Sequence, residues 1–508
     1  MHTITLNRRP WVASLCLLLW SSTPAMASPL FDTIGDPAGT GGMQAATVPG
    51  GVGAAYFNPA LLTDAAAQVS IGLVLLRQQI GITVEGRPGT EFAVLEGLEN
   101  AARSDFSRFD NYPIATNILQ YGRERGPLQT EFRARPRQAA GSGDKTQTYA
   151  LLGLSVKILE DKLALAVNAA VPTGEFTTLR AFFNDEREQY FSNSLHPELY
   201  GDRLKALSLA FGVAYRLWPE LSLGIGATLG LQASVVAPTF VADTSQLDQI
   251  LIDLNAAVNI AIAPHFGIRF QPLPRLRVTG SLHTPIKHAL RNGFTFLLAN
   301  GTEQASGISF TMNYMPWRAS LGAVFDLVAT KTQTFSIAGT MNYAHWSGYV
   351  DRHGEQPSPS YAWNNTFAPM FGLRYRVSGW SALLDAGYRP TPVPAQTGRA
   401  NYVDNDRASG QLGLQYTFSL WGQTFVVGGQ FLTHVLLARH QWKLPTPTEP
   451  SGDNLAPDRV KDEIPDDAQI SGDPAPGREG LQTNNPGWPG FKSEGWIFAG
   501  SLFVSLAL

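Results

Sequence analysis

Leu221-Ser222-Leu223-Gly224-Ile225-Gly226-Ala227-Thr228-Leu229-Gly230-Leu231-Gln232 decides the fold. Leu221, Leu223, Ile225, Ala227, Leu229 and Leu231 alternate with Ser222, Gly224, Gly226, Thr228, Gly230 and Gln232. A period of two sends one set to each face of a β-strand. One face is greasy; the other is small or polar without charge. The segment before it repeats the pattern, with Leu207, Leu209, Phe211, Val213 and Tyr215 against Ser208, Ala210, Gly212 and Ala214. Leu412, Leu414, Tyr416 and Phe418 alternate in the same way with Gln411, Gly413, Gln415 and Thr417. The final segment puts Trp496, Phe498, Leu502, Val504, Leu506 and Leu508 on one face.

A soluble β-sandwich also alternates. Three features favour a membrane. The segments often reach ten residues, and the polar face avoids Lys and Glu. Aromatics gather near segment ends, at Tyr215 with Trp218, Tyr343 with Trp346, and Phe418 with Trp421, as interfacial girdles do. The pattern predicts strands over 67–85, 146–158, 162–173, 204–217, 221–238, 255–271, 275–297, 308–328, 333–349, 366–377, 381–390, 408–419, 423–441 and 495–508. That is 14, an even number, as single-chain bacterial barrels have. Short connections at 159–161, 218–220, 272–274, 329–332, 378–380 and 420–422 alternate with long ones at 86–145, 174–203, 239–254, 298–307, 350–365, 391–407 and 442–494. Short periplasmic turns and long extracellular loops give this alternation, and a sandwich has no cause for it. The phase shifts around Pro316, where a bulge is expected.

Composition agrees. Charged residues are 16% of the 508, against about 25% in soluble domains. The net charge of -3 gives no footprint for nucleic acid. Residues 1–27 carry Arg8 and Arg9, an apolar run from Trp11 to Trp20, and Ala25-Met26-Ala27, the parts of a cleavable secretory signal. The single cysteine, Cys16, lies inside it, so thiol catalysis and cysteine-ligated metals are excluded from the mature chain. No later apolar run is long enough for a spanning helix. Residues 28–66 are rich in Gly, Pro and Ala, nearly uncharged and without a sustained period. Gly and Pro oppose long helices and strands, while the apolar character is wrong for a solvated tail. A plug inside the barrel fits both properties. The architecture expected is an all-β, 14-stranded antiparallel transmembrane barrel over 67–508 with an N-terminal plug over 28–66.

Four places resemble the FadL family of outer-membrane transporters for long-chain fatty acids and other hydrophobic compounds. Ala55-Tyr56-Phe57-Asn58-Pro59-Ala60-Leu61-Leu62-Thr63 is similar to the family's plug segment, marked by Asn58, Pro59 and Ala60. Val171-Pro172-Thr173-Gly174-Glu175-Phe176 lies where the family's third strand is kinked. Phe211-Gly212-Val213-Ala214-Tyr215-Arg216, running into Leu221-Ser222-Leu223-Gly224, is similar to its fourth strand, turn and fifth strand. Ala386-Gly387-Tyr388-Arg389, then Pro392-Val393-Pro394 and Asn401 to Arg407, resembles the loop before its twelfth strand. The loops 86–145 and 442–494 are longer than usual for the family, and the chain ends on Leu508 rather than an aromatic residue.

The resemblance implies passive uptake of a fatty acid or other hydrophobic small molecule across the bacterial outer membrane. The protein would be a monomer among outer-membrane lipids and lipopolysaccharide, with no cofactor, metal or catalysis. Proline cannot donate to a ladder and a closed barrel has no edge to hold it. Val171, Pro172, Thr173 and Gly174 are therefore the residues expected at a lateral opening; the alternative is that Pro172 marks the strand's upper end. A surface adhesin or structural barrel using the long loops is the other functional reading, and an outer-membrane hydrolase a third. No G-x-S-x-G or H-E-x-x-H occurs, and His265, His283, His288, His345, His353, His434 and His440 are scattered, which suggests rim or loop histidines. Arg123, Arg125, Arg133, Arg135 and Arg137 form a basic loop, suited to lipopolysaccharide phosphates or an anionic headgroup. Asp453, Asp458, Asp462, Glu463, Asp466, Asp467 and Asp473 form a solvated acidic loop without EF-hand spacing.

Overall fold

A computed structural model describes residues 30–84, 140–141, 145–159, 162–174, 187–188, 191–192, 199, 204, 207–241, 250–252, 255–298, 303–350, 356–357, 359, 362–397, 402–442 and 490–508. The signal, the basic loop and the acidic loop lie outside them. Fourteen strands form the wall. They are β1 Gln68–Val84, β2 Lys145–Ile158, β3 Leu163–Pro172, β4 Ser208–Trp218, β5 Leu221–Val241, β6 Asn255–Leu273 and β7 Leu276–His283. Then come β8 Arg318–Ala329, β9 Gln333–Ala344, β10 Thr366–Val377, β11 Trp380–Arg389, β12 Arg407–Leu420, β13 Gln423–Trp442 and β14 Gly490–Ala507. Each pairs antiparallel with the next. The ladder of β1 with β14, from Gln68↔Ala507 to Val84↔Phe491, closes the cylinder.

Alternation sets the two faces. Outward positions expose large apolar groups, among them Leu321 at 65%, Phe371 at 68% and Leu502 at 69%. Inward positions bury Thr340, Gln411, Gln430 and Ser501. An apolar belt around a closed ladder is stable where lipid replaces water, because every strand edge is paired. Among the described residues no helix is long and apolar enough to cross a membrane. Tight hairpins join strands at one end. Ser378-Gly379 and Trp421-Gly422 have positive φ at both central residues (46° and 88°; 52° and 76°), the backbone hand that matches strand twist.

The structure modifies the strand pattern near Pro316. The expected strand over 275–297 divides into β7 and a second piece, Ile286–Leu298. The strand over 308–328 divides into Glu303–Met315 and β8. The register nevertheless continues across the break, with His283↔Arg318 below and Ile286↔Met315 above. Pro285 and Pro316 face each other across this hairpin; both lack a ladder N–H, so both strands bend together. The bulge lies further up, between His288 and Ala289. Beyond the bend, Ile286–Leu298 pairs in parallel with β5, from Arg291↔Ser234 to Leu298↔Val241. The pairing of β4 with β5 ends at Leu209↔Leu229, so the upper hairpin covers the edge of β5 that β4 leaves free. The long loop expected over 298–307 shrinks to the link between these two strand pieces. The strand expected over 333–349 stops at Ala344 and gives way to a 3-10 turn, Trp346–Gly348.

Residues 30–66 follow a compact path of short helices, α1 Leu30–Ile34, α2 Ala54–Phe57 and a 3-10 turn Pro59–Thr63. Gly153, Gly212, Gly224 and Gly267 make room for it on the inner wall. A Cβ on Gly224 would lie 2.3 Å from the Ala60 nitrogen, and one on Gly267 2.1 Å from Asn58 Oδ1. The small inner residues of the wall are therefore a bed for this segment.

Candidate functional site

Asn58 joins α2 to the 3-10 turn. Its Oδ1 accepts from the Ala60 N–H at 3.2 Å, and Pro59 takes the first helical position, where no donor is needed. Its amide donates to Ala46 O (3.0 Å) and to the wall carbonyls Gly280 O (3.3 Å) and Ile268 O (3.4 Å). Below it, Asp64 meets three wall guanidiniums: Arg269 Nε at 2.9 Å, Arg216 Nη2 at 3.0 Å and Arg277 Nε at 3.5 Å. On the opposite wall, Arg374 and Asp385 form a buried bidentate pair (2.5 and 3.0 Å). Arg374 donates to Thr40 O (2.6 Å) and Gly41 O (2.7 Å), and Asp385 accepts from Met43 N–H (3.0 Å). The N-terminal segment is thus pinned on two sides of the barrel.

Between those anchors lies a cavity of about 140 Å³. Its floor is Phe31, Thr33, Gly35, Met43, Ala46 and Phe57 of the N-terminal segment. Its wall runs from His283 on β7 through Arg318, Asn342, Met370, Arg389 and Arg407 to His434 on β13. Tyr314, Tyr343, Trp346, Pro390 and Pro392 stand at its mouth. Three arginines and one carboxylate, Asp32, line it. Arg318 is ion-paired with Asp32, and donates to Tyr56 OH (3.2 Å) and His283 Nδ1 (3.3 Å). The space is the size of a cavity that accepts benzene, about 150 Å³. Its apolar floor and cationic side suit an apolar molecule with a negative or acceptor head group.

Three histidines depart from the expectation of rim or loop positions. His265, His283 and His434 are buried inside the barrel. His265 shares the inner face of β6 with Ala263 and Arg269, while Ile262, Phe266 and Ile268 are exposed on the outer face. The same alternation was readable in the sequence; scattered spacing concealed that each histidine occupies an inward register. Trp346 also departs from a girdle. It turns toward Trp363 (ring centroids 5.5 Å) and Tyr314 (6.3 Å), whereas Trp218 and Trp421 face outward.

Pro172 is the last residue of β3 and pairs with Tyr149. The ladder to β2 persists one residue further, through Thr173 N–H to Thr148 O at 2.9 Å. Antiparallel bonds alternate sides, so the donor that Pro172 lacks points toward β4, whose pairing with β3 stops at Ala170↔Ser208. Val171 is half-buried, Thr173 and Gly174 are exposed, and nothing lies within 4 Å of where a Gly174 Cβ would be.

Asp36 is buried in the bend of the N-terminal segment. A Cβ on Gly41, Gly50 or Gly53 would come within 2.4–2.9 Å of its carboxyl group. Oδ1 accepts from Ala38 N–H at 3.3 Å, and Oδ2 has no hydrogen-bond partner among the described residues. Burial pushes this carboxyl up to about 7.

No protein-family model and no curated protein matches the chain. Among solved structures it is similar to a Pseudomonas aeruginosa FadL homologue, with 14% identity and a TM-score of 0.49, over 96% of this chain and 98% of that one. It is also similar to the P. putida toluene transporter TodX, at 9% identity and a TM-score of 0.45, over 96% of this chain and 99% of that one. The Ralstonia pickettii toluene transporter TbuX gives 10% identity and a TM-score of 0.41, over 96% and 99% of the two chains.

Proposed function

We propose that this chain is a passive channel of the bacterial outer membrane for long-chain fatty acids or other hydrophobic molecules. The observation that carries the reading is the cavity between the N-terminal segment and β7–β13, apolar below and lined by Arg318, Arg389 and Arg407 at its side. Residues 28–66 act as the plug that stops polar solutes. The ligand enters from the long-loop, extracellular side, past Trp346 and Tyr343. Its apolar part lies against Phe31, Met43 and Phe57, and a carboxylate or carbonyl head meets the guanidiniums. It then leaves sideways beside Pro172 and Gly174, where the ladder from β3 to β4 ends and Gly174 adds no side chain. No energy source is needed, because the bilayer takes up an apolar molecule spontaneously.

Paired measurements test both parts. In Pro172→Val/Gly174→Ala the missing donor and the β-preference return, so β3 can extend its pairing. Affinity for a spin-labelled fatty acid in detergent should persist, while uptake by cells should fall sharply. Uptake equal to wild type, in a variant shown to be inserted, would overturn the sideways exit. Loss of saturable affinity in Met43→Trp, which fills the cavity floor, is expected; unchanged affinity would overturn the cavity as the binding site.

A further inference from the structure

We propose that His265, His283 and His434 form an acid-released latch that holds residues 31–57 across the lumen. This rests on the reading of the N-terminal segment as a plug. Each imidazole donates its Nε2–H to a carbonyl of that segment: His265 to Ala55 O at 2.6 Å, His434 to Thr33 O at 2.7 Å and His283 to Phe57 O at 3.3 Å. Two of these carbonyls lack a helical donor for a reason written in the sequence. The residue four positions after Ala55 is Pro59, and four after Thr33 is Pro37; neither has an N–H. The wall imidazoles take the place of those missing donors. They grip from β6 and β7 on one side and from β13 on the other.

The latch works with neutral rings. Arg318 Nη2 donates to His283 Nδ1 at 3.3 Å, so a proton at that nitrogen would point at a guanidinium. His265 stacks on His283 with centroids 4.8 Å apart and planes 11° apart, which would set two cations face to face. Tyr56 packs against the same ring at 5.3 Å, and its hydroxyl accepts from Arg318. Asp32, the nearest carboxylate of the cavity, is already paired with Arg318. His434 Nδ1 shares a hydrogen bond with Ser409 Oγ at 2.6 Å, and Arg389 and Arg407 line the cavity with it. Protonation therefore adds positive charge to a cationic neighbourhood. Once the segment swings away, hydrated imidazoles bind protons at their ordinary value near 6.5. Opening takes up protons, so acid favours the open form, by about tenfold per pH unit for each proton taken up. The contacts of Arg374 and Asp385 with Thr40, Gly41 and Met43 break as well and add to the cost of opening, while residues 58–66 stay behind, held by Asn58 and the Asp64 cluster.

The test uses the full-length protein in planar bilayers, with potassium chloride conductance recorded from pH 6.5 to 4.5. Asp36 keeps its proton up to about 7 while buried and only up to about 3.9 once hydrated, so it opposes acid opening by about one proton against the three taken up by the imidazoles, and an Asp36→Asn background removes that offset. The wild type should open at least about tenfold more per pH unit. The variant His265→Gln/His283→Gln/His434→Gln keeps amide donors that do not titrate, and should show no rise. A flat wild type, or the same rise in the variant, overturns the latch. If the variant does not insert, hydrogen exchange on the wild type decides. Amides in 31–57 should lose protection on acidification while those in 58–66 keep it, and uniform behaviour overturns the proposal. A chain lacking 31–60 separates the two readings: if it leaks and the wild type is flat, the latch alone fails; if it does not leak, the plug fails.

Discussion

Replacing Asp64 by alanine removes the carboxylate that ion-pairs with Arg216, Arg269 and Arg277 at the foot of the N-terminal segment. The three partners are not equivalent. The Arg269 side chain is 6% exposed, whereas Arg277 and Arg216 are 20% and 29% exposed. Leaving a buried charge without its partner costs about 3–5 kcal/mol, while a partly solvated pair contributes under about 1 kcal/mol. Arg269 keeps Pro219 O (3.0 Å), Glu220 O (3.2 Å) and Gln271 as acceptors, which places the cost at the lower end. We expect about 3 kcal/mol, close to a hundredfold in an opening equilibrium. The loss belongs to the segment rather than the barrel, because the strand ladders do not pass through Asp64. Hydrogen exchange reads it at the 3-10 turn, where Asp64 and Ala65 N–H both bond to Leu61 O (3.0 and 3.1 Å). Protection there should fall about a hundredfold with the barrel amides unchanged. A fall of less than about threefold would refute the anchoring role assigned to this cluster.

Further expectations follow from the same contacts. Deleting 31–60 should leave a barrel that inserts and conducts small ions in planar bilayers; wild-type conductance would refute occlusion. The Asp36 carboxyl is raised to about 7 by burial, against about 3.9 when unfolded, so the stability it contributes is full in acid and is lost as pH rises through 7. Protection of 30–57 in the wild type, taken relative to Asp36→Asn, should therefore decline by up to about tenfold per pH unit between pH 4.5 and 7 and level off above 7; a constant ratio across that range removes Asp36 as the cause. Gly224→Val should drive a side chain into Ala60 N, 2.3 Å from the added Cβ, at a cost of about 1–3 kcal/mol, seen as faster exchange over 58–63. Unchanged exchange would show that the wall yields there.

The sequence by itself determined the wall. Residues such as Leu221 to Leu231 repeat at the period of a strand, and side-chain direction in a strand is a local property. The strand count followed for the same reason. Proline positions were also legible, since a missing N–H is a covalent fact, and Pro316 announced a change of phase. What that change does was decided by tertiary structure: the upper hairpin crosses to β5 because β4 ends at Ser208 and leaves an edge that must be paired. The site divides in the same way. Gly224 and Gly267 read as generic small strand residues until Ala60 and Asn58 lie against them. Pro37 and Pro59 show on their own that Thr33 and Ala55 have no helical donor, but not that His434 and His265 supply one. Those partners lie 401 and 210 positions away, and only closure of the barrel around its N-terminal segment brings them within a hydrogen bond.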